Sequence, residues 1–268
     1  LTSTTWPSPS RSRLRNLAHR GILLSDPASP SWPRLAEHES DMDAAWWDDL
    51  ASVYHAHACW RAVDSTARRL GDEQGGESLG AMVSKRGTPP THFPHRSSGA
   101  CRVELDIPDS SDDLLQTLRA RRTTRAFRAD LPLPLQSLEY VLHTVFGVQG
   151  IRRITSEIAA IRRTSPSAGA MHPMDAFALA IHVDSLCPGL YHYEADSHSL
   201  AMLEAMDRAQ ARDLARQFVA NQEYFASAHV LIIQVARFDR NFWKYPRDKK
   251  AYTSVLLDAG HLSQTLYL

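Results

Sequence analysis

The chain has 268 residues, of which 43% are hydrophobic and 22% are charged, as is typical of a globular protein with a substantial core. Its 30 Lys and Arg residues balance its 30 Asp and Glu residues, so net charge indicates no polyanionic partner, and we expect no nucleic acid. Three scattered cysteines offer neither a disulfide framework nor zinc spacing, and no apolar run is long enough to span a membrane. We therefore expect a protein of the reducing cytoplasm that holds no metal.

The first hundred residues predict a mostly helical accessory region. Residues 14–24 predict a short helix and an extended piece, either docked on a larger body or left from a winged helix. Residues 41–70 predict one long helix whose aromatic face favours a core or dimer interface over a cofactor contact. Glycines and prolines interrupt residues 71–100, which we interpret as a linker. We therefore divide the chain into 1–100 and 101–268.

The second region predicts a mixture of strands and helices. In chain order these are a strand at 101–107, a helix capped by Asp109, Ser110 or Ser111, a helix at 134–147, strands at 175–183, 189–193 and 199–203, a helix at 206–219, a strand at 228–237 and a helix at 247–268. They do not alternate strictly, which favours the α+β class. The chain begins at Leu1 rather than Met and stops inside the last helical pattern, which suggests that it is part of a longer protein, truncated at its C-terminus.

Three groups of residues have the chemistry of a site. The first is the basic run Arg121-Arg122-Thr123-Thr124-Arg125-Ala126-Phe127, which follows a predicted helix. Its guanidinium groups, hydroxyls and backbone N–H groups suit a phosphate or another anion. Taken alone, such a run is more often a solvated basic face, and both interpretations stay open at this point.

The second group is the loop Pro166-Ser167-Ala168-Gly169-Ala170-Met171-His172-Pro173, just before a predicted strand. Small residues flanked by prolines let a flat ligand approach the backbone, although an ordinary turn explains the same composition. The third group is Phe242-Trp243-Lys244-Tyr245, after the strand at 228–237. Its Lys and Tyr could transfer protons, but most such pairs are surface residues whose stems pack against the protein.

In this order, five motifs resemble the nitroreductase superfamily, and more narrowly its SagB-type branch of peptide azoline dehydrogenases. They are Arg121–Phe127, Pro166–Ala170, Pro188–Tyr193, Lys244–Tyr245 and Ala259–Leu268. The resemblance covers about residues 112–268 and implies an α+β sandwich with FMN at a homodimer interface. It implies that the phosphate, ribityl chain or pyrimidine edge of FMN is held by Arg121, Arg122, Thr123 and Arg125. It further implies that the isoalloxazine is lined by Pro166, Ser167, Ala168 and Gly169, and that Gln264 contributes to the cofactor site.

The same resemblance implies a reaction and partners. SagB-type enzymes work with a cyclodehydratase in the maturation of ribosomally made peptides, where they oxidise thiazolines and oxazolines to azoles. A base removes the ring Cα proton while hydride passes to flavin N5. A Lys-Tyr pair is associated with that proton removal, which implies catalytic roles for Lys244 and Tyr245. Either Tyr245 is the base and Lys244 assists it, or the roles are reversed. The implied partners are a modified precursor peptide, a cyclodehydratase and a second copy of the chain.

Two other functions remain open from the sequence. One is an NAD(P)H-dependent nitro or quinone reductase, which would show fast flavin reduction by the nicotinamide. The other is a flavin-less accessory protein that presents a peptide to a partner enzyme. Failure of the purified protein to retain flavin would favour this function. The Lys-Tyr pair favours the dehydrogenase over the reductase.

Overall fold

The computed structural model of the protein describes residues 41–42, 44–58, 79–93, 105, 112–156 and 158–268. The helix predicted at 14–24 lies outside these residues, as does the strand predicted at 101–107 apart from Leu105. Within the described part, helices accompany one four-stranded and one two-stranded sheet, which confirms the α+β class. None of the described helices is both long and apolar enough to cross a membrane.

The helices and strands of the described part follow each other along the chain as follows. The helices are α1 (Asp49–Ala58), α2 (Leu79–Arg86), α3 (Asp113–Ala120), α4 (Leu135–Phe146), α5 (Arg208–Phe218), α6 (Phe238–Lys244) and α7 (Lys249–Tyr267). The strands are β1 (Gly150–Arg153), β2 (Ala159–Arg162), β3 (Met174–Ala180), β4 (Gly189–Glu194), β5 (Ser199–Ala205) and β6 (Val230–Ala236).

The larger sheet has the strand order β5-β4-β3-β6, and β1 pairs with β2 in a separate antiparallel hairpin. Strand β4 is antiparallel to both neighbours, with His192 opposite Phe177 of β3 and Ala201 of β5. Alternation along β4 buries Tyr191 and Tyr193. Burial raises the pKa of both phenols; the Cys187 thiol adds to the shift at Tyr191, whereas a nearby arginine opposes it at Tyr193.

The chain divides into two compact units. The first consists of residues 1–59, 166–174 and 236–259, and the second of residues 60–165, 175–235 and 260–268. The boundary that we place near residue 100 stays a prediction.

The second unit has a core in which the fully buried side chains of α5 are small. Ala211 and Ala215 are fully buried and cluster with Leu179 and Ile181. Small residues let a helix approach a sheet closely, and a capping box between Asp207 and Gln210 fixes the start of α5. Helix α4 buries four residues at helical spacing, which are Leu138, Leu142, Val145 and Phe146, and ends at Gly147 as predicted.

The first unit has an aromatic core around Trp47. The Trp47 ring lies 4.8 Å from both the Phe238 ring and the Phe242 ring of α6, and Tyr252 of α7 completes the cluster. Aromatic pairs at this separation stabilise a core beyond the area that they bury. This aromatic cluster fixes α6, which carries one of the predicted sites.

Several predictions on secondary structure are wrong in detail. The helix predicted over 41–70 is interrupted: Trp46 adopts a φ of 61°, and Asp48 caps a new helix by accepting hydrogen bonds from the N–H groups of Leu50 and Ala51. Helix α2 lies inside the predicted linker, where Gly80 masked its pattern. Helix α3 is capped by Asp112, one residue beyond the predicted caps. The β1–β2 hairpin and α6 were not predicted.

Candidate functional site

The loop that precedes β3 has an unusual backbone. In residues 166–173, Ala168–Ala170 form a single 3-10 turn, in which the N–H of Ala170 donates to the Ser167 carbonyl at 3.0 Å. Gly169 has a φ of 61° and Ala170 a φ of 56°, in the left-handed region. Gly169 is exposed, and its N–H has no hydrogen-bond partner among the described residues. The loop therefore has, at Gly169, a backbone donor in a residue without a side chain of its own.

Helix α7 holds the start of this loop through a buried carboxylate. Asp258 is 3% exposed and accepts a hydrogen bond from the Ser167 hydroxyl at 2.5 Å and from the Ala168 N–H at 3.3 Å. The Ser167 hydroxyl oxygen in turn accepts from the His172 N–H at 2.8 Å. Both ends of the loop are thereby connected to one side chain of α7.

Helix α6 holds the rest of the loop. Lys244 Nζ donates to the Gly169 carbonyl at 2.9 Å, and Arg240 Nε donates to the Met171 carbonyl at 2.8 Å. The backbone N–H of Arg237 donates to the Pro173 carbonyl at 2.8 Å. Three successive parts of the loop therefore bind to one short helix.

The Lys-Tyr pair lies at the end of α6, against the loop. Lys244 is the last helical residue, and Tyr245 caps the helix by donating its N–H to the Asn241 carbonyl at 2.9 Å. A Cβ atom at Gly169 would lie 2.5 Å from the Tyr245 hydroxyl oxygen and 2.8 Å from Lys244 Nζ. Lys244 is exposed, whereas the ring of Tyr245 is half-buried against the aromatic cluster. Only glycine leaves room for both polar groups beside the loop.

The structure thus brings together two of the three groups singled out from the sequence, residues 166–169 and the Lys244–Tyr245 pair. A hydroxyl and an ammonium group border one exposed point of the backbone, and such groups can donate, accept or stabilise a proton in transit. The roles that we predicted for these residues stay predictions.

The basic run belongs to the second unit. Arg121 caps the end of α3, and Arg121, Arg122, Thr123 and Arg125 are all exposed. The Arg125 guanidinium carbon lies 5.4 Å from the centre of the Tyr224 ring, within cation–π range. In the part of the chain that the structure describes, the guanidinium groups of Arg121 and Arg122 form no ion pair. Gln264 is also exposed and also lies in this unit, on the last turns of α7.

Sequence reasoning missed Asp258 and Arg240. A signal for Asp258 was present, because it is placed three residues after Val255 and four before Leu262 on the apolar face of α7. A carboxylate on a buried face needs partners, and this one finds them in the loop. Arg240 gave no comparable signal, because α6 is too short to show a periodicity. As for metals, the described residues include no group of three or more His, Cys, Asp or Glu side chains able to hold an ion.

Residues 118–268, more than half of the chain, match the nitroreductase family. The chain is therefore an oxidoreductase with an α+β fold. It belongs to the nitroreductase family, whose members generally bind FMN. This confirms the family part of the resemblance found in the sequence.

One relative of known sequence agrees with this assignment. A protein of Methanocaldococcus jannaschii, MJ1384, which is named as a nitroreductase, is 25% identical over 166 residues, covering 62% of this chain and 77% of its own. A structure from Anabaena variabilis, also named as a nitroreductase, is 26% identical with a TM-score of 0.44, covering 61% of this chain. This chain spans only 31% of the length of that Anabaena protein.

A third similarity covers most of both chains. The structure of the Escherichia coli microcin synthetase McbBCD complex, with truncated pro-MccB17 bound, aligns with a TM-score of 0.55. The match covers 84% of this chain and 81% of the other, at 16% identity. At that identity the similarity shows the fold alone.

Proposed function

We propose that this protein is an FMN-dependent dehydrogenase that oxidises thiazoline or oxazoline rings of a modified peptide to azoles. The observation that carries this proposal is the packing of Lys244 and Tyr245 against Gly169. The pair stands against the loop that we expect to line the flavin, where a proton would have to be removed from a ring lying on the cofactor. A proton-transfer pair anywhere else would not support the reaction.

The residues of the loop fit a flat cofactor. Gly169 has no side chain and its neighbours Ala168 and Ala170 have small ones, and the N–H of the exposed Gly169 is a donor for a heteroaromatic ring. We propose that residues 166–169 line the isoalloxazine. We further propose that the phosphate and ribityl chain are held by Arg121, Arg122, Thr123 and Arg125, with Gln264 contributing. FMN, when bound, supplies the acceptor for the two electrons that leave the substrate ring as hydride.

The protein's own residues would handle the proton. Conversion of an azoline to an azole removes a proton from the ring Cα together with the hydride. We assign the proton to the Tyr245 hydroxyl oxygen, in its ionised form, and assign to Lys244 the stabilisation of the negative charge on that oxygen. The hydrogen bond from Lys244 to the Gly169 carbonyl would keep the ammonium group in place during this step. The reverse assignment, with Lys244 as the base, is distinguished by the variants below.

The fold supports a proposal for partners and compartment. The Escherichia coli structure is a synthetase complex with a truncated precursor bound, and this chain shares its fold over most of its length. We infer that the substrate is a modified precursor peptide, that a cyclodehydratase makes its azoline rings, and that two copies of the chain form a homodimer. The free, exposed thiol of Cys187 supports a reducing cytoplasm.

The decisive experiment measures azole formation on a synthetic peptide that carries one thiazoline. The FMN-loaded protein should remove two hydrogens from it, as detected by mass spectrometry. Lys244→Ala and Tyr245→Phe should each lower turnover by about a hundredfold or more while FMN stays bound. Lys250→Ala and Tyr140→Phe, at exposed positions, are matched controls that should keep full turnover. Unchanged turnover in Lys244→Ala and Tyr245→Phe would remove the basis of the proposal.

A second candidate is an NAD(P)H-dependent nitro or quinone reductase, which the naming of the Methanocaldococcus jannaschii relative favours. Anaerobic mixing of the flavoprotein with NADPH separates the two. Rapid bleaching of the flavin absorbance indicates the reductase, whereas a dehydrogenase stays oxidised and discharges its electrons to oxygen after turnover. A colourless protein that takes up no FMN would instead favour the peptide-binding accessory role.

A further inference from the structure

Asp258 is a buried charge for which the fold alone gives no reason. It lies on the apolar face of α7, where Val255 and Leu262 are also buried. Its partners in the described part of the chain are neutral, namely the Ser167 hydroxyl and the Ala168 N–H. Burying a carboxylate without a cation costs free energy, and an apolar residue would fill the same space without that cost. The role of this carboxylate therefore lies in the hydrogen bonds that it accepts from the loop.

Those hydrogen bonds have a fixed direction. The Ser167 hydroxyl has one proton, which it donates to Asp258, and its oxygen then accepts from the His172 N–H. An ionised carboxylate can only accept, so it sets the orientation of the hydroxyl and, through it, of both ends of the loop. Hydrogen bonds to an ionised acceptor are about twice as strong as neutral ones. The loop is consequently held more rigidly than its own 3-10 turn could hold it.

The position of the loop in turn decides where the Lys-Tyr pair stands. Lys244 binds the Gly169 carbonyl, and the Tyr245 hydroxyl borders the same residue. Ser167 is two residues before Gly169, so a shift of Ser167 is transmitted to Gly169 through the short turn. Asp258 thus acts on the reacting groups through the loop and does not itself touch them.

We propose that Asp258 is the positioning residue of the site, because it fixes residues 166–172 from α7 and so sets the relation between the loop, the Lys-Tyr pair and bound FMN. The part of the inference that concerns FMN rests on the function proposed above. The part that concerns the loop stands without the cofactor, and the two are tested separately.

The first test uses Asp258→Asn, which keeps the size of the side chain and removes its charge. Amide hydrogen exchange in the FMN-free protein should become at least about tenfold faster at Ala168 and His172, since hydrogen bonds to charged groups contribute that much. FMN should bind about tenfold to a hundredfold more weakly, with a changed visible circular dichroism of the flavin. Ser263→Ala, on the same helix with its partner Gln234 on β6, is the control and should change neither quantity.

The second test removes the same hydrogen bond from the other side. Ser167→Ala should accelerate amide exchange at His172. The double variant Ser167→Ala with Asp258→Asn should bind FMN with an affinity within about twofold of that of the weaker-binding single variant, because each single variant already loses the one interaction that the two side chains share. If Asp258→Asn fails to fold, amide exchange in Ser167→Ala still tests the positioning role. Unchanged exchange in these variants overturns the positioning role. A wild-type protein that takes up no FMN overturns the proposed function, while the exchange rates still decide on Asp258.

Discussion

Gly169→Ala tests the close packing of the loop against the Lys-Tyr pair. Alanine at a φ of 61° costs about 1–2 kcal/mol of folding free energy, because the left-handed region is unfavourable for a residue with a Cβ. The added methyl group would also lie 2.5 Å from the Tyr245 hydroxyl oxygen, about 1 Å less than an ordinary contact. Lys244 can swing aside on its flexible stem, but the half-buried ring of Tyr245 cannot, so the loop and the hydroxyl must separate.

A displacement of about 1 Å in a reacting group lowers turnover by about a hundredfold. We therefore expect Gly169→Ala to lose that much azole formation while its free energy of unfolding falls by only about 1–2 kcal/mol. Turnover is measured on the thiazoline peptide with saturating FMN, and stability by urea denaturation of the same preparation.

Gly87→Ala is the matched control. Gly87 has a φ of 76°, so alanine meets the same backbone penalty there, but nothing lies within 4 Å of the added Cβ. Both variants should lose similar stability, and only Gly169→Ala should lose turnover. If the two variants keep the same turnover, the contact of Gly169 with Tyr245 has no part in the reaction.

Three further predictions follow from the described geometry. Gly260→Ala should raise the free energy of unfolding by about 0.5–1 kcal/mol in urea titrations, since Gly260 is inside α7 and its Cβ would meet nothing; a loss of stability would mean that this face is covered. Burial raises the pKa of Tyr191, whose hydroxyl donates to the Cys187 carbonyl. The folded state therefore keeps that proton longer than the unfolded state, and stability is lost as pH rises from the usual tyrosine pKa through the folded one. Tyr191→Phe should flatten this loss above about pH 10 by up to about 1.4 kcal/mol per pH unit, and equal slopes would contradict it. The double variant Arg121→Ala/Arg122→Ala should bind FMN at least about tenfold more weakly, with a smaller dependence of the affinity on salt, as measured by quenching of flavin fluorescence. The control double variant Arg152→Ala/Arg153→Ala should change neither the affinity nor its salt dependence.

The parts of the fold that the sequence predicted are those whose pattern is long and clearly bounded. Helix α4 shows four apolar residues at helical spacing between Pro134 and Gly147, and α7 repeats its pattern over 19 residues. Strands β3 and β4 are short apolar runs next to turns, and both formed within a few residues of the predicted bounds. In each case the local preference and the final packing agree.

The elements that were missed lack such a pattern. Helix α6 has seven residues, which is less than two full turns and too short to show a clear periodicity. Its polar Asn241 is also fully buried, which breaks the expected pattern of apolar burial. The start of α1 depends on Asp48, whose side chain caps the helix only because the chain turns at Trp46. These features depend on the aromatic cluster around Trp47, which joins parts of the chain that are distant in sequence.

The candidate site shows the same division. The small-residue loop and the Lys-Tyr pair were each identified from the sequence, but only as weak and independent signals. Their contact joins Lys244 to Gly169 across 75 positions, and no spacing rule predicts a hydrogen bond over that interval. The family resemblance supplied the expectation that they belong together, and the structure supplies the distances.

The strain in the loop indicates why it needs two helices to hold it. Ala170 and His172 both have positive φ angles, 56° and 45°, and each costs about 1–2 kcal/mol in a residue with a side chain. A free loop of this composition would relax to an ordinary turn. It is prevented from doing so because Asp258 holds its start while Arg240 binds the Met171 carbonyl between the two strained residues. Strain that persists only because neighbouring helices impose it is typical of sites where the backbone itself must meet a ligand. The N–H of the exposed Gly169 is the donor that this arrangement keeps in place.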